Sequence, residues 1–511
     1  MAEPEVSQGE LTKEQQEILM LNAPSRAPRV MFDREQYEKD VRDGLISLSR
    51  TTTLQNRSPY TPTDIKASQG AMSVAPAANV KPVVIAITIA YHWPATYLQA
   101  CMNDFCHYYN LPPTTLEVIQ VGTAASGLTE SDLNTNIIAP LKNYIDTTST
   151  STIYFSTSGF FTAKSISSAN QGVFGWLSEI LLDICWAYAM NTNAHIRVVE
   201  ACGVTMGQQF DAVRYASLDS NFTANIHGPT NIVSMSWGGP EGMDFSLSDP
   251  TVFTNDKICY LGSTGDYGVS TYPSTSPNVL SVGGTTLKYD TATSSWNQTV
   301  WSNTYGGGLA SGAGFAIDYA KPTYQNNRNN GIDKRCTPDI CGVGDPATGV
   351  NIVYAGSSPT LGASRMETQT GGTSASCPIN AGLLSNLIQK YLNETTTKLT
   401  TLTTLTPNST SLNLQTLMYS NYDANHSTMF YDVTEGQVIE SVDANLGPNN
   451  SGKTFTASVG YDIPSGMGVP LWTGIRNVLF PAAPPNPANT GNITGTISNV
   501  NGSLTFVLRI T

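Results

Sequence analysis

The sequence predicts an α/β fold, a doubly wound and mostly parallel sheet flanked by helices, with N- and C-terminal extensions. Three observations predict it. Short continuous apolar runs such as Val83–Ala90 have the composition of strands buried on both faces. Helical stretches alternate with them, as a parallel sheet with crossover helices requires. A small-residue turn, Gly371-Gly372-Thr373-Ser374-Ala375-Ser376-Cys377-Pro378, opens onto an apolar helical run from about Ile379 to Leu392.

In chain order, residues 1–80 read as an arm and linker. Charged helical pieces at about Lys13–Leu21 and Asp33–Leu45 are followed by a Thr/Ser/Pro stretch and an Ala/Val linker. Residues 81–480 form the main domain. Its expected elements are a strand at Val83–Ala90, a helix near Ala95–Tyr109, a strand at Leu116–Val121, a helix at Leu128–Tyr144 and a strand at Ser151–Ser156. A helix at Phe174–Met190 and strands at His195–Ala201, Asn231–Trp237, Lys257–Ser263 and within Pro277–Thr286 follow. Residues 395–415, rich in Thr, Leu and Asn, read as a surface insertion. Residues 481–511 begin Pro-rich, end in a strand-like run at Leu504–Ile510, and read as a linker and appendage.

Two stretches carry chemistry. In the Gly-Ser turn, small neighbours leave the Ser374 hydroxyl unobstructed, and Pro378 fits a first helical turn. Ser374 then lies at a helix N-terminus, where free N–H groups favour a developing oxyanion. The competing reading is a simple turn that caps a helix. The helix at Phe174–Met190 is apolar on nearly every face, yet carries Glu179 and Asp183 four residues apart and so side by side. A polar stripe reaching solvent is the bland alternative. Flanked by Trp176, Leu177, Ile180, Leu182 and Trp186, two carboxyls are costly unless they share protons or hydrogen bonds. Asp266, between two glycines after an expected strand, is either a plain turn residue or sits where open α/β sheets bind ligands.

Composition narrows the classes. A net charge of −13 argues against nucleic acid as a partner and suits a protein that must tolerate acid. The N-terminus has no hydrophobic secretory core, and no apolar run reads as long enough to span a membrane. An acidic compartment, export by a non-standard route or a virus particle are the expected locations. Eight cysteines are scattered without metal-ligand spacing; Cys336 and Cys341 are close enough in sequence to close a small disulfide loop, and most of the rest read as buried thiols. Asp432 and Asp462, each in a Gly-containing loop, suit a hard cation such as Ca²⁺. None of the five histidines lies in a recognisable catalytic motif, so a carboxylate, Glu179 oriented by Asp183, is the candidate base for Ser374.

These motifs resemble, in order, those of the sedolisin family, the serine-carboxyl peptidases with a subtilisin-like fold. The similarity spans about residues 82–478. It comprises Glu179/Asp183, S-x-S-W-G at Ser234–Gly238, G-D-x-G at Asp266, V-G-G-T at Val282 and the segment Gly306–Gln325. R-x-x-P-D at Arg335–Asp339, G-G-T-S-A-S-x-P at Ser374, and the pair at Asp432 and Asp462 complete it. The resemblance implies a subtilisin-like architecture and an acid-acting endopeptidase or tripeptidyl peptidase with a polypeptide substrate. Ser374 would be the nucleophile, Glu179 the base and Asp183 its support. Asp266 would be a protonated donor to the oxyanion. Ca²⁺ would be held by Asp432 and Asp462 side chains and by carbonyls of Val433, Ser458 and Gly460; the family usually has Gly where Ser458 stands. Secreted members carry a long prosegment, which residues 1–80 do not resemble. The rival expectation is therefore a structural or binding part of a larger assembly, tethered through its terminal arms.

Overall fold

The computed structural model describes residues 54–55, 59–123, 128–147, 170–242, 244–302, 309–328, 331–397, 414–440, 452–480, 493–500 and 503–510. The helices expected at 13–21 and 33–45, the strand at 151–156, glycines 306–308 and most of the 395–415 insertion lie outside them.

The elements that position the site are, in chain order, helix Pro62–Ser68 (α1), strand Val84–Ala90 (β1), helix Ala95–Tyr108 (α2), strand Glu117–Val121 (β2) and helix Gln171–Met190 (α3). Strand His195–Ala201 (β3), helix Met206–Ser217 (α4), and strands Ile232–Met235 (β4), Cys259–Ser263 (β5), Val279–Asp290 (β6) and Ile340–Val343 (β7) follow. Helix Thr373–Thr397 (α5) comes next.

Strands β1 to β7 pair in parallel in the order β2-β3-β1-β4-β5-β6-β7. The chain winds outward from β1 to one edge, returns, then proceeds to the other side; this is the doubly wound architecture expected. All seven residues of β1 and of β3 are buried, which is why β1 reads as an apolar run rather than an alternating one, while β3 buries His195, Arg197 and Glu200 among its apolar residues. The order reverses beside β1. Ligands of such sheets bind there, at the carboxyl ends of the strands. Helix α3 packs on both β1 and α5, so two helices that carry candidate chemistry lie against one another.

Four expectations are corrected. Residues 59–80 are not a free arm. Tyr60 is fully buried, and α1 starts at a capping box in which Thr61 and Asp64 satisfy each other's backbone N–H. Beyond α1 the chain runs along one face of α5. Asn386 and Asn393 there accept from the N–H groups of Val74 and Ala77, Gln389 accepts from Val83, and Asn380 from the Gln69 side chain. Second, all eight cysteines are free thiols. Cys336 lies on a strand paired with Ala310–Ala320, while Cys341 lies on β7 with its sulfur directed at the Ser465 carbonyl, so the two belong to different ladders. Third, among the described residues one helix, Gly172–Met190, is long and apolar enough to cross a membrane. Of that stretch 89% is buried inside the fold, which accounts for its apolarity as a core helix. Fourth, the C-terminal appendage contains a second strand. Ile493–Val500 pairs antiparallel with Ser503–Ile510 as a hairpin.

Candidate active site

The site is built where α3, the ends of β4 and β5, and the start of α5 meet. Helix α5 begins at Thr373, six residues earlier than the apolar pattern suggests, so Pro378 lies inside it rather than opening it. Ser374 is thus the second residue of the helix. Its N–H is among the first four, which have no acceptor within the helix. Proline has no N–H to give the carbonyl four residues back, and here that carbonyl belongs to Ser374. Gly372, at φ +88°, makes the turn before the helix. A side chain there would put its Cβ 2.8 Å from Asp266 Oδ2, so glycine is required for conformation and for space.

Asp266 follows β5. Its Oδ1 accepts from the Thr373 N–H at 2.8 Å and the Thr373 hydroxyl at 2.9 Å, whereas its Oδ2 is buried without a hydrogen-bond partner. One oxygen is therefore committed as an acceptor and the other is free to carry a proton. Burial pushes this carboxyl up to about 6, against the opposing pull of the two Thr373 donors. At pH values below that, Asp266 is a neutral hydrogen-bond donor.

On α3, Glu179 is 3% exposed and Asp183 fully buried. Both carboxyls are pushed well above their ordinary values, mainly by burial. The Asp183 charge raises Glu179 further and Asp266 adds to it, while the nearby Ser374 hydroxyl acts in the opposite sense. Within hydrogen-bonding distance the Ser374 Oγ and Glu179 Oε1 have no partner. A nucleophile and base often stand slightly apart before substrate arrives. Asp183 Oδ1 accepts from the Ser236 hydroxyl at 2.7 Å, and its Oδ2 is unpartnered.

The structure thus brings together all four residues singled out for chemistry, from three separate parts of the chain. Two further participants lay unmarked inside recognised motifs. Thr373 holds Asp266, and Ser236 touches Asp183; each is a small hydroxyl residue whose partner is set by folding alone. All four primary side chains are buried, so the cluster is shielded from water.

The expected cation residues lie in two adjoining loops elsewhere. Asp432 follows the short strand Phe430–Tyr431 and accepts from the Gly460 N–H at 3.0 Å. Asp462 accepts from the Ser458 N–H at 2.8 Å and from the Ser465 N–H and hydroxyl at 2.8 and 2.7 Å. Burial pushes Asp462 up to about 6, and the neighbouring Asp432 charge adds to that. Among the described residues no group of three or more His, Cys, Asp or Glu is placed to hold a metal. A cation here would therefore rely on carbonyl oxygens beside two carboxylates. That all-oxygen donor set suits Ca²⁺ and no softer metal. The mutual repulsion of Asp432 and Asp462 is what a dication would relieve.

Comparison with known proteins agrees with this architecture. A model of the subtilase family matches residues 188–432. Kumamolisin of Bacillus sp. (strain MN-32) is 28% identical over 338 residues, which is 60% of this chain and 51% of the relative. Sedolisin of Pseudomonas sp. (strain 101) is 27% identical over 288 residues, 55% of this chain and 40% of the relative. The chain thus spans about half, or less, of the length of the curated relatives it matches. Among solved structures, Pseudomonas sedolisin, a serine-carboxyl proteinase complexed with two molecules of pseudo-iodotyrostatin, superposes with a TM-score of 0.56 at 20% identity. The superposition covers 82% of this chain and 97% of that one, a likeness of fold.

Proposed function

We propose that the chain is a sedolisin-like serine-type peptidase, as its similarity to the subtilase family model, kumamolisin and sedolisin supports, and that it hydrolyses peptide bonds at acid pH through an acyl-enzyme on Ser374. The observation that carries this reading is the convergence of Ser374, Glu179, Asp183 and Asp266 into one buried cluster with no histidine in it.

In the reading, the Ser374 oxygen attacks the scissile carbonyl as its proton passes to Glu179, which Asp183 holds in place. The oxyanion is met by the Ser374 N–H and by the proton on Asp266 Oδ2. Glu179 then returns the proton to the leaving amine, and water repeats the sequence on the ester. An ionised Asp266 would repel the oxyanion. The alkaline limb of activity therefore falls as pH rises through the Asp266 value of about 6, and the acidic limb is set by protonation of Glu179.

That sign yields a test. Asp266→Asn retains an acceptor for Thr373 and a donor at the Oδ2 position, but cannot ionise. We expect it to keep turnover within roughly tenfold at pH 4 and to lose the alkaline fall in kcat/KM that the wild type shows near pH 6. Asp266→Ala lacks the donor and should lose about 10²–10³-fold in kcat at every pH. An unchanged pH profile in Asp266→Asn would remove Asp266 from the oxyanion site.

Asp432, Asp462 and the carbonyls of Val433, Ser458 and Gly460 would hold Ca²⁺, which when bound supplies charge neutralisation between the two carboxylates and ties their loops together. Stripping it with a chelator at pH 7 should lower the unfolding temperature by about 3 °C relative to calcium at a hundred times its dissociation constant. Asp462→Asn should abolish that difference.

The experiment that tests the proposal is incubation of purified protein with an unfolded protein substrate between pH 3 and 5, followed by mass spectrometry of the products. The alternative role, a non-catalytic part of a larger assembly, predicts intact substrate.

A further inference from the structure

Ser236 immediately follows β4, and the S-x-S-W-G segment that contains it carries no role in the chemistry described so far. Its side chain is fully buried and makes two contacts. The hydroxyl donates to Asp183 Oδ1 at 2.7 Å, and it lies 3.5 Å from the carbonyl oxygen of Ser374. The second contact depends on Pro378. An ordinary residue there would donate its N–H to the Ser374 carbonyl, and proline cannot. The segment is itself fixed, since Trp237 Nε1 donates to Thr88 Oγ1 at 3.0 Å on the central strand.

We infer that Ser236 is a positioning residue of the reaction, a bridge that fixes the rotation of the Asp183 carboxyl on α3 relative to the Ser374 backbone on α5. The inference rests on the peptidase reading and deepens it. A carboxyl can turn about its Cβ–Cγ bond. With Oδ1 engaged by Ser236, Oδ2 is the oxygen left for Glu179, and that oxygen is buried without a hydrogen-bond partner. The bond is to an ionisable acceptor and belongs to the stronger class. It favours the ionised form of Asp183, and is the contact that opposes the effect of burial there.

The groups facing Asp183 decide the direction of a pH effect. On its own helix there is Glu179, with Asp266 beyond it. From α5 there is the Cys377 thiol, which burial pushes up to about 12 and which therefore stays neutral throughout the acid range. From the end of β4 there is only the neutral Ser236. Removing the Ser236 hydroxyl thus makes the Glu179–Asp183 pair harder to ionise and moves the acidic limb of the rate profile to higher pH.

The test compares wild type, Ser236→Ala and Ser236→Thr. We expect Ser236→Ala to lower kcat by roughly ten- to a hundredfold with KM within twofold. Its acidic limb should move up by at least half a pH unit, and Ser236→Thr, which restores a hydroxyl, should recover most of the rate. A merely structural role predicts a lower unfolding temperature with the limb in place. A rate and limb both unchanged in Ser236→Ala overturn the inference while leaving the peptidase reading intact. A second arm is independent of turnover. In the Ser374→Ala background, the protonated-carboxyl infrared band that Asp183→Asn removes should titrate at higher pH when Ser236→Ala is added. No movement of that band overturns the inference even in a protein that cleaves nothing.

Discussion

Replacement of Ser374 by alanine is expected to reduce turnover by about a millionfold, the scale of loss when a serine peptidase is deprived of its nucleophile. The same substitution should leave the unfolding temperature unchanged or raise it. The Ser374 hydroxyl is fully buried and makes no hydrogen bond of ordinary length. A polar atom in that condition gains nothing from folding and costs its desolvation. Alanine removes the atom without opening a large cavity. Paired measurements of kcat on an unfolded substrate and of thermal unfolding check this. Loss of activity together with a large loss of stability would mean that Ser374 supports the fold.

The second large effect belongs to Glu179→Gln. Glutamine keeps the shape of the side chain and cannot take up a proton, so kcat should fall by about 10⁴-fold, the upper range for a positioned general base. The stability effect has the opposite sign. The folded-state value of Glu179 lies well above 4.5, through burial and the Asp183 charge. A group raised in this way contributes stability that is complete below its unfolded value and is lost as pH rises through the folded one. Wild type should therefore weaken as pH climbs from about 4.5 toward neutrality, and Glu179→Gln should lose that share of the slope. Denaturant midpoints at pH 4 and pH 7 for both proteins test it. A substitution that changes neither kcat nor the slope would take Glu179 out of the site.

Much of this arrangement was legible in the sequence, and the reasons differ by element. Strand β1 is covered on both faces, so its burial left a continuous apolar signature. Glu179 and Asp183 were visible because two acids in an apolar helix conflict with its composition. The start of α5 was misplaced because Pro378 is a usual opening signal, whereas here it frees a carbonyl inside the helix. The polar stretch before β1 looked like linker because its hydrogen-bond partners, Asn386, Gln389 and Asn393, lie some three hundred residues downstream. Ser236 and Thr373 were invisible for the same reason. A hydroxyl shows nothing of its partner until tertiary structure supplies one. The Cys336–Cys341 spacing suggested a bridge, and only the strand ladders reveal that the two thiols serve different layers.

The central claim is that acids replace histidine as the proton handler at Ser374. The most direct measurement is the pH dependence of kcat/KM for wild type on an unfolded protein substrate from pH 2 to 9, with Ser374→Ala as the blank. The account predicts a bell confined to acid, falling on its alkaline side near pH 6 and absent from the blank. A profile that peaks at pH 7 to 8, or cleavage that survives in Ser374→Ala, would contradict it.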